Sequence, residues 1–351
     1  METTEFVTEA LADVHVHLRE GDVVPHLIFH SIAGGADVLG AMPNTTKGLM
    51  TAGQVTEYIN QAGLFAFRHE PPVSFIPFVM ITEKTTEKEI DDCIAVGITH
   101  AKVYPYQRTT QSEYGVTHYQ RIIPIIRHCG KVGMTCHFHP EHPWMLFGNR
   151  EAEFCFIPVM KMFFDETAAH IVWEHGTDAQ CIPFWEEMAK TGRFGLTLTA
   201  HHLASNEDLT FGDIRATCKP PIKTERDRRG LVDLVCKNYD WVMAGTDTAF
   251  HDWPKKHVEK GRCNCGAFTA PFALPLYAHA LEKLFSSEEG FQTFINFTSR
   301  NARKRYKLPE SSRQVKLVRK PWEIPLKYEV GPQTASPFWA GQILNWKIAD
   351  Y

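Results

Sequence analysis

Leu11-Ala12-Asp13-Val14-His15-Val16-His17-Leu18-Arg19-Glu20 is an apolar run that turns polar at its end. Interior residues that are apolar on both faces mark a buried parallel strand. Side chains two apart on a strand point the same way, so His15 and His17 share one face. In a closed parallel barrel the C-terminal strand ends converge on one rim, where catalytic groups sit. Two imidazoles at such an end could grip one ion. The plain alternative is a pair of half-buried strand histidines without metal.

Working outward, similar short apolar runs recur at Ala36–Met42, Ser74–Met80, Thr99–Tyr104, Met134–His139, His170–His175, Gly195–Ala200 and Asp240–Ala244. Amphipathic stretches between them predict helices at Thr51–Ala62, Thr86–Ala95, Tyr119–Cys129, Glu151–Phe164, Ala179–Lys190 and Thr224–Lys237, with a further one at Pro271–Phe285. Strands alternating with helices give an α/β fold with a parallel sheet. Eight such units over about 270 residues fit a closed (β/α)₈ TIM barrel better than an open sheet. No linker, low-complexity stretch or internal repeat interrupts the chain, so residues 1–351 read as one domain. The segment from Ser311 to Tyr351 is rich in Pro and aromatic residues and is expected to pack across the barrel.

The other strand ends carry a consistent polar set. Lys102 lies in Ala-Lys-Val-Tyr-Pro, His139 closes the fifth strand, His175 ends Trp-Glu-His, and Asp247 follows the eighth strand in Ala-Gly-Thr-Asp. Imidazole and carboxylate ligands suit Zn²⁺. Lys102 is the odd member, because an ammonium has no lone pair to offer a metal. Buried beside cations, its pKa falls and the amine becomes reactive. It could then add CO₂ to form a carbamate, an anionic ligand able to bridge two ions. A lysine paired with a carboxylate is the other reading, and the sequence alone does not choose.

Composition bounds the rest. Of the 351 residues, 44% are hydrophobic and 22% charged, as in soluble globular proteins. A net charge of -4 points to neither nucleic acid nor an anionic membrane surface. No apolar run reaches the roughly 20 residues of a membrane span. The first residues are acidic where a secretion signal is basic, so the expected location is cytoplasmic. Nine scattered cysteines, an odd number, indicate reduced thiols. Cys263 and Cys265 are too few alone for structural zinc.

The chain resembles the dihydroorotases of the amidohydrolase superfamily. Asp-Val-His-Val-His-Leu-Arg-Glu is similar to their opening signature, and Ala-Met-Pro-Asn at 41–44 to the next motif. The likeness continues through 101–105, Thr109-Thr110, 114–117, 131–134, Glu174-His175, 198–203, 245–251 and Pro-Phe-Trp-Ala-Gly at 337–341. It therefore covers essentially the whole chain in order. It implies a metal-dependent barrel with two Zn²⁺ per subunit. His15, His17 and Asp247 would hold the more buried ion, and His139 and His175 the more exposed one. Carbamylated Lys102 and a hydroxide would bridge them.

The implied reaction is reversible closure of N-carbamoyl-L-aspartate to L-dihydroorotate in pyrimidine synthesis, with Asp247 as the acid/base. Arg19 has the fork geometry for a carboxylate, and the resemblance adds Asn44 and His251 as its co-ligands. His17, His139 and backbone near Lys219 and Cys265 would also touch substrate. Thr109 and Thr110 would lie on a lid. Plainer roles stay open: a rim salt bridge for Arg19, turn positions for Asn44 and the threonines, and a surface loop for His251. A homodimer is implied by likeness alone.

Four positions depart from the family pattern. Pro140 follows His139, Thr45-Thr46-Lys47-Gly48 replaces a proline-containing stretch, Phe250 precedes His251, and His137 adds an imidazole two residues before His139. His137 is expected to face the same way as His139, as a supporting partner or a competing ligand. Hydantoinases and allantoinases would use the same metal set, but Arg19, Asn44 and His251 together favour an acidic substrate. A catalytically silent barrel acting as a binding partner should have lost ligands, and none is missing here.

If Asp247 carries the proton, hydrolysis of dihydroorotate starts from its carboxylate and ring closure from its acid. Hydrolysis then rises with pH while ring closure falls. Initial rates in both directions across pH test this, and matching slopes would remove Asp247 from that role.

Overall fold

Short runs of branched and aromatic residues, buried on both faces, become the strands. The computed structural model describes residues 4–66, 72–144, 148–261 and 264–349. Cys263 lies outside the described residues. After β1 (Glu5–Glu9) come β2 (Leu11–His17), β3 (Ala36–Ala41), β4 (Ser74–Ile81), β5 (His100–Val103) and β6 (Thr135–Phe138). They are followed by β7 (Ile171–Trp173), β8 (Phe194–Leu198), β9 (Val242–Ala244) and β10 (Thr248–Ala249). Strands β2 to β9 pair parallel, each with the next, and β10 pairs parallel with β2. Strands β9 and β10 are two parts of one course of chain, separated by Gly245, Thr246 and Asp247. One part bonds to β8 and the other to β2, so the sheet closes on itself as a (β/α)₈ barrel.

The predicted strands all form, with ends shifted by one or two residues. Ala200, read as the end of a strand, instead begins the short helix Ala200–Ala204, capped by Thr199. The predicted helices form as well. Thr86 and Thr224 each open a helix with a reciprocal capping box. Proline in the first turn, where its missing N–H is harmless, starts Ile123–Val132, Ile157–Glu166 and Ile182–Ala189. The sequence reading overlooked Val24–Ala33, the helix between β2 and β3. Its mixed sequence, VPHLIFHSIA, has histidines within the apolar stripe that blur the period.

The last residues form β11 (Gln314–Glu323), β12 (Tyr328–Val330), β13 (Gln333–Ala335) and β14 (Ile343–Ile348). β11 pairs antiparallel with both β1 and β14, making a three-stranded sheet from the two ends of the chain. Val315, Leu317, Leu344 and Trp346 are buried in the same apolar cluster as the barrel helices. Further on, the Phe338 amide donates to the Phe268 carbonyl at 3.0 Å and Trp339 Nε1 to Ser205 Oγ at 2.9 Å.

A buried ion cluster stands behind the rim. Lys223 Nζ lies 3.0 Å from both Glu153 and Asp178, and all three are buried. Glu153 also accepts from Trp173 Nε1 at 3.2 Å and the Thr177 amide at 2.9 Å. It thereby fixes the loop leaving β7. Removing only the cation strands two buried carboxylates. Lys223→Met is therefore expected to lower unfolding free energy by about 3–5 kcal/mol, measured by chemical denaturation. A loss below about 1 kcal/mol, the scale of an exposed pair, would contradict that reading.

Candidate active site

A parallel barrel brings every strand's C-terminal end to one rim. On β2, His15 and His17 reach toward the same atom. Their Nε2 atoms lie 3.3 and 2.8 Å from Asp247 Oδ1. His139 and His175 follow β6 and β7, with ring centroids 4.5 Å apart, and His175 lies 5.2 Å from His15. Lys102, on β5, is fully buried with its Nζ against the Glu174 carboxylate. All six ligand-type residues named from the sequence thus meet at one rim.

Backbone strain helps gather them. His175 has φ 42°, Asp247 φ 50° and Arg19 φ 59°, all left-handed. Such conformations cost about 1–3 kcal/mol each and cluster at functional sites. At β7 the turn also breaks strand alternation, so the consecutive residues Glu174 and His175 both reach the lumen.

Burial dominates the electrostatics. It lowers the pKa of all four imidazoles, that of His17 to about 4, and keeps them neutral. Burial also pulls Lys102 well below the usual ammonium range. For Asp247 burial works upward, yet the neighbouring imidazoles, His15 first and then hydrogen-bonded His17, outweigh it and hold the carboxyl well below its ordinary value. Neutral imidazoles beside a carboxylate make a ready cation site.

The donors fit such an ion. His15 Nδ1 and Nε2, His175 Nδ1 and Lys102 Nζ are buried without a well-formed hydrogen bond. His139 Nε2 is held by Glu141 at 2.7 Å, leaving Nδ1 as its remaining donor. Ligand atoms of His15, His17 and Asp247, and of His15, Glu174 and His175, lie within 4.8 Å of one another. The grouping of His201, His202 and Cys218 is different in kind. Both nitrogens of His202 are engaged there, by Thr199 Oγ1 at 2.7 Å and the Pro220 carbonyl at 3.1 Å.

Beside the ligand cluster a chain of close polar contacts joins most of the residues expected to meet substrate. Arg19 donates to the Phe250 carbonyl at 2.8 Å and lies 3.2 Å from His251 Nε2. His251 Nε2 is 2.8 Å from the Cys265 carbonyl, which also accepts from Thr110 Oγ1 at 3.2 Å. Asn44 donates to the Thr110 carbonyl at 3.1 Å and accepts from Tyr104 at 3.0 Å. Burial draws Arg19 down to about 10, still charged at neutral pH. The Lys219 side chain reaches Asn149.

His17, Arg19, Asn44, Thr109, Thr110, Lys219, Asp247 and Cys265 line one cavity of about 10 Å³. Arg19, Thr110 and His251 also line a neighbouring cavity of about 260 Å³.

Four contributors escaped the sequence reading or received no role there. Glu174, beside His175 in Trp-Glu-His, reaches Lys102 and His137. Glu141 holds His139, and His-x-Glu at a strand end was its available signal. His100 and Tyr104 flank Lys102 at i±2 and so share its face. Pro140 leaves His139 at the rim, and His137 faces the lumen as its spacing predicts.

No family model matches the chain. A dihydroorotase of Pseudomonas fluorescens is 31% identical over 96% of each chain. The crystal structure of a Saccharomyces cerevisiae dihydroorotase in complex with 5-fluoroorotic acid superposes with a TM-score of 0.90 and 25% identity, covering 99% of both chains. An Arthrobacter aurescens L-hydantoinase, at 14% identity and a TM-score of 0.83, covers 98% of this chain and 83% of its own, and shares the fold. With that identity sustained across nearly the full length of a curated relative, the chain belongs to the dihydroorotase family, and it is a cyclic amidohydrolase.

Proposed function

We propose that this enzyme closes N-carbamoyl-L-aspartate to L-dihydroorotate and reopens it, using two zinc ions held by His15, His17, Lys102, His139, His175 and Asp247. The observation that carries the reading is the meeting of four neutral imidazoles, one amine and one carboxylate beside a cavity that holds a charged arginine. Zinc, when bound, lowers the pKa of water to about 7 and polarises a carbonyl. Lys102 would join as a carbamate, formed when its neutral Nζ attacks CO₂ and releases a proton. That change requires Nζ to leave its pairing with Glu174.

The chain's own groups supply the rest. Asp247, between His15 and His17, can accept a proton at Oδ1 and return it to the ring nitrogen that leaves. Arg19 offers two parallel donors to the substrate carboxylate, with Asn44 and His251 beside it. Backbone at Lys219 and Cys265 can hydrogen-bond the ring. The Thr109–Thr110 loop, once closed, excludes water from the reacting bond. His17 and His139 stand where they can touch the substrate as well as an ion.

By family likeness the working unit is a homodimer of single barrels spanning 1–351, with 311–351 packed on each, acting in the cytoplasm. Among the described residues no helix is long and apolar enough to cross a membrane.

Metal quantification of purified enzyme is expected to give two zinc ions per chain. Asp247→Ala is expected to lower kcat at least ~100-fold, followed by dihydroorotate absorbance. Full turnover by that variant, or by chelator-stripped protein, would overturn the proposal. Arg19→Gln removes a charged donor worth about 1.5–3 kcal/mol, so kcat/KM for dihydroorotate should fall about 10-fold or more. An equal loss with an uncharged cyclic ureide would show that Arg19 does not read the carboxylate.

A further inference from the structure

Two imidazoles lie inside the barrel below the ligand cluster, where apolar side chains are the rule. His137 on β6 and His100 on β5 are both buried. Phe78 packs edge-on against His137 at 4.8 Å, and Tyr306 stacks on His100 at 4.8 Å. Buried polar groups are costly unless bonded, and these two are bonded in a line. His100 Nδ1 lies 3.2 Å from His137 Nε2, and His137 Nδ1 lies 3.1 Å from Glu174 Oε1. The other oxygen of Glu174 stands 3.1 Å from His15 Nδ1 and against Lys102 Nζ.

Only one direction of donation satisfies the line. A carboxylate accepts only, and a neutral imidazole has one N–H and one lone pair. His137 must therefore carry its proton on Nδ1 and accept at Nε2. His100 must then carry its proton on Nδ1. At the far end the Glu174 carboxylate lies 3.1 Å from His15 Nδ1, off the line of a formed hydrogen bond, and favours a proton on that nitrogen, which would leave the Nε2 lone pair for an ion. A histidine held by a carboxylate on one nitrogen, with the other free for metal, is the arrangement that fixes ligand orientation.

We propose that His137 and His100 are positioning residues that pin the Glu174 carboxylate, and through it set the orientation of His15 and Lys102 at the metal centre. The role spans four strands, since His15, His100, His137 and Glu174 come from β2, β5, β6 and the end of β7. It rests on the zinc reading above. Without the imidazole line, Glu174 keeps only its partners at the rim and can rotate. His15 then loses the contact that selects its tautomer.

Two measurements test this independently. The first needs no metal. Long-range ¹⁵N–¹H spectra of histidine-labelled full-length protein should show His137 and His100 as Nδ1–H tautomers. Glu174→Gln should shift the His137 signals. Nε2–H tautomers at either position would overturn the proposal, whatever the metal content.

The second measures zinc release to a chromogenic chelator. His137→Leu keeps the volume apolar and should release zinc about 10–100-fold faster, with KM nearly unchanged. His137→Asn places an amide N–H near the Nδ1 position and should restore retention to within a few-fold of wild type. Unfolding curves of both variants check the fold. Wild-type retention in His137→Leu, or equal loss in Leu and Asn variants of equal stability, would refute the positioning role. Wild-type protein that binds no zinc and turns over no substrate would sink the zinc reading and leave the tautomer measurement to decide this one.

Discussion

The Asp247 amide donates to the His15 carbonyl at 2.9 Å, and this bond joins the end of the barrel to its beginning. Asp13 reinforces the seam, accepting from the Thr246 amide at 2.8 Å and from Thr246 Oγ1 at 2.6 Å. Residues more than 230 positions apart are thereby set side by side. The carboxylate of the last strand can face the imidazoles of the first only because the sheet closes here. The seam lies where the eighth strand is broken, and the left-handed Asp247 lets its side chain turn inward at that break. Closure of the fold and assembly of the site are therefore one event.

The same seam shows why catalysis and stability pull on different groups. Burial strips charge from His15, His17, His139 and His175, so the rim is a poor place for a lone cation of the protein's own making. Lys102 stands there as a neutral amine, because the same burial draws its pKa far down. The ion cluster of Lys223, Glu153 and Asp178, by contrast, keeps its charges paired. It holds Thr177 and so the start of the loop after His175.

Much of this was legible in the sequence, because strand alternation is a strong rule. Period-two spacing placed His15 with His17 and His137 with His139, and the converging strand ends grouped Lys102 and Asp247 with them. The rule fails where the backbone leaves the β region. Glu174 and His175 are neighbours and should have faced opposite ways, but φ at His175 brings both inward. Nothing in the residue types at 174–175 announces that turn. The terminal sheet was hidden for another reason. β1 and β11 are more than 300 residues apart, and only the folded barrel makes them neighbours. The chain of contacts that links Arg19, His251, Cys265, Thr110 and Asn44 joins four separate loops, which no local pattern can reveal.

Both chain ends are fastened to the same strand. The Arg319 amide donates to the Thr4 carbonyl at 2.7 Å, and the Ala349 amide to the Lys316 carbonyl at 2.9 Å. Only three positions of β11 separate those anchors. A short peptide could join Ala349 to Thr4, and the chain could be reopened in a surface turn between helix and strand. The barrel is in this sense indifferent to where its chain is opened, provided that the strand bearing His15 still emerges from a sheet already stitched to β11.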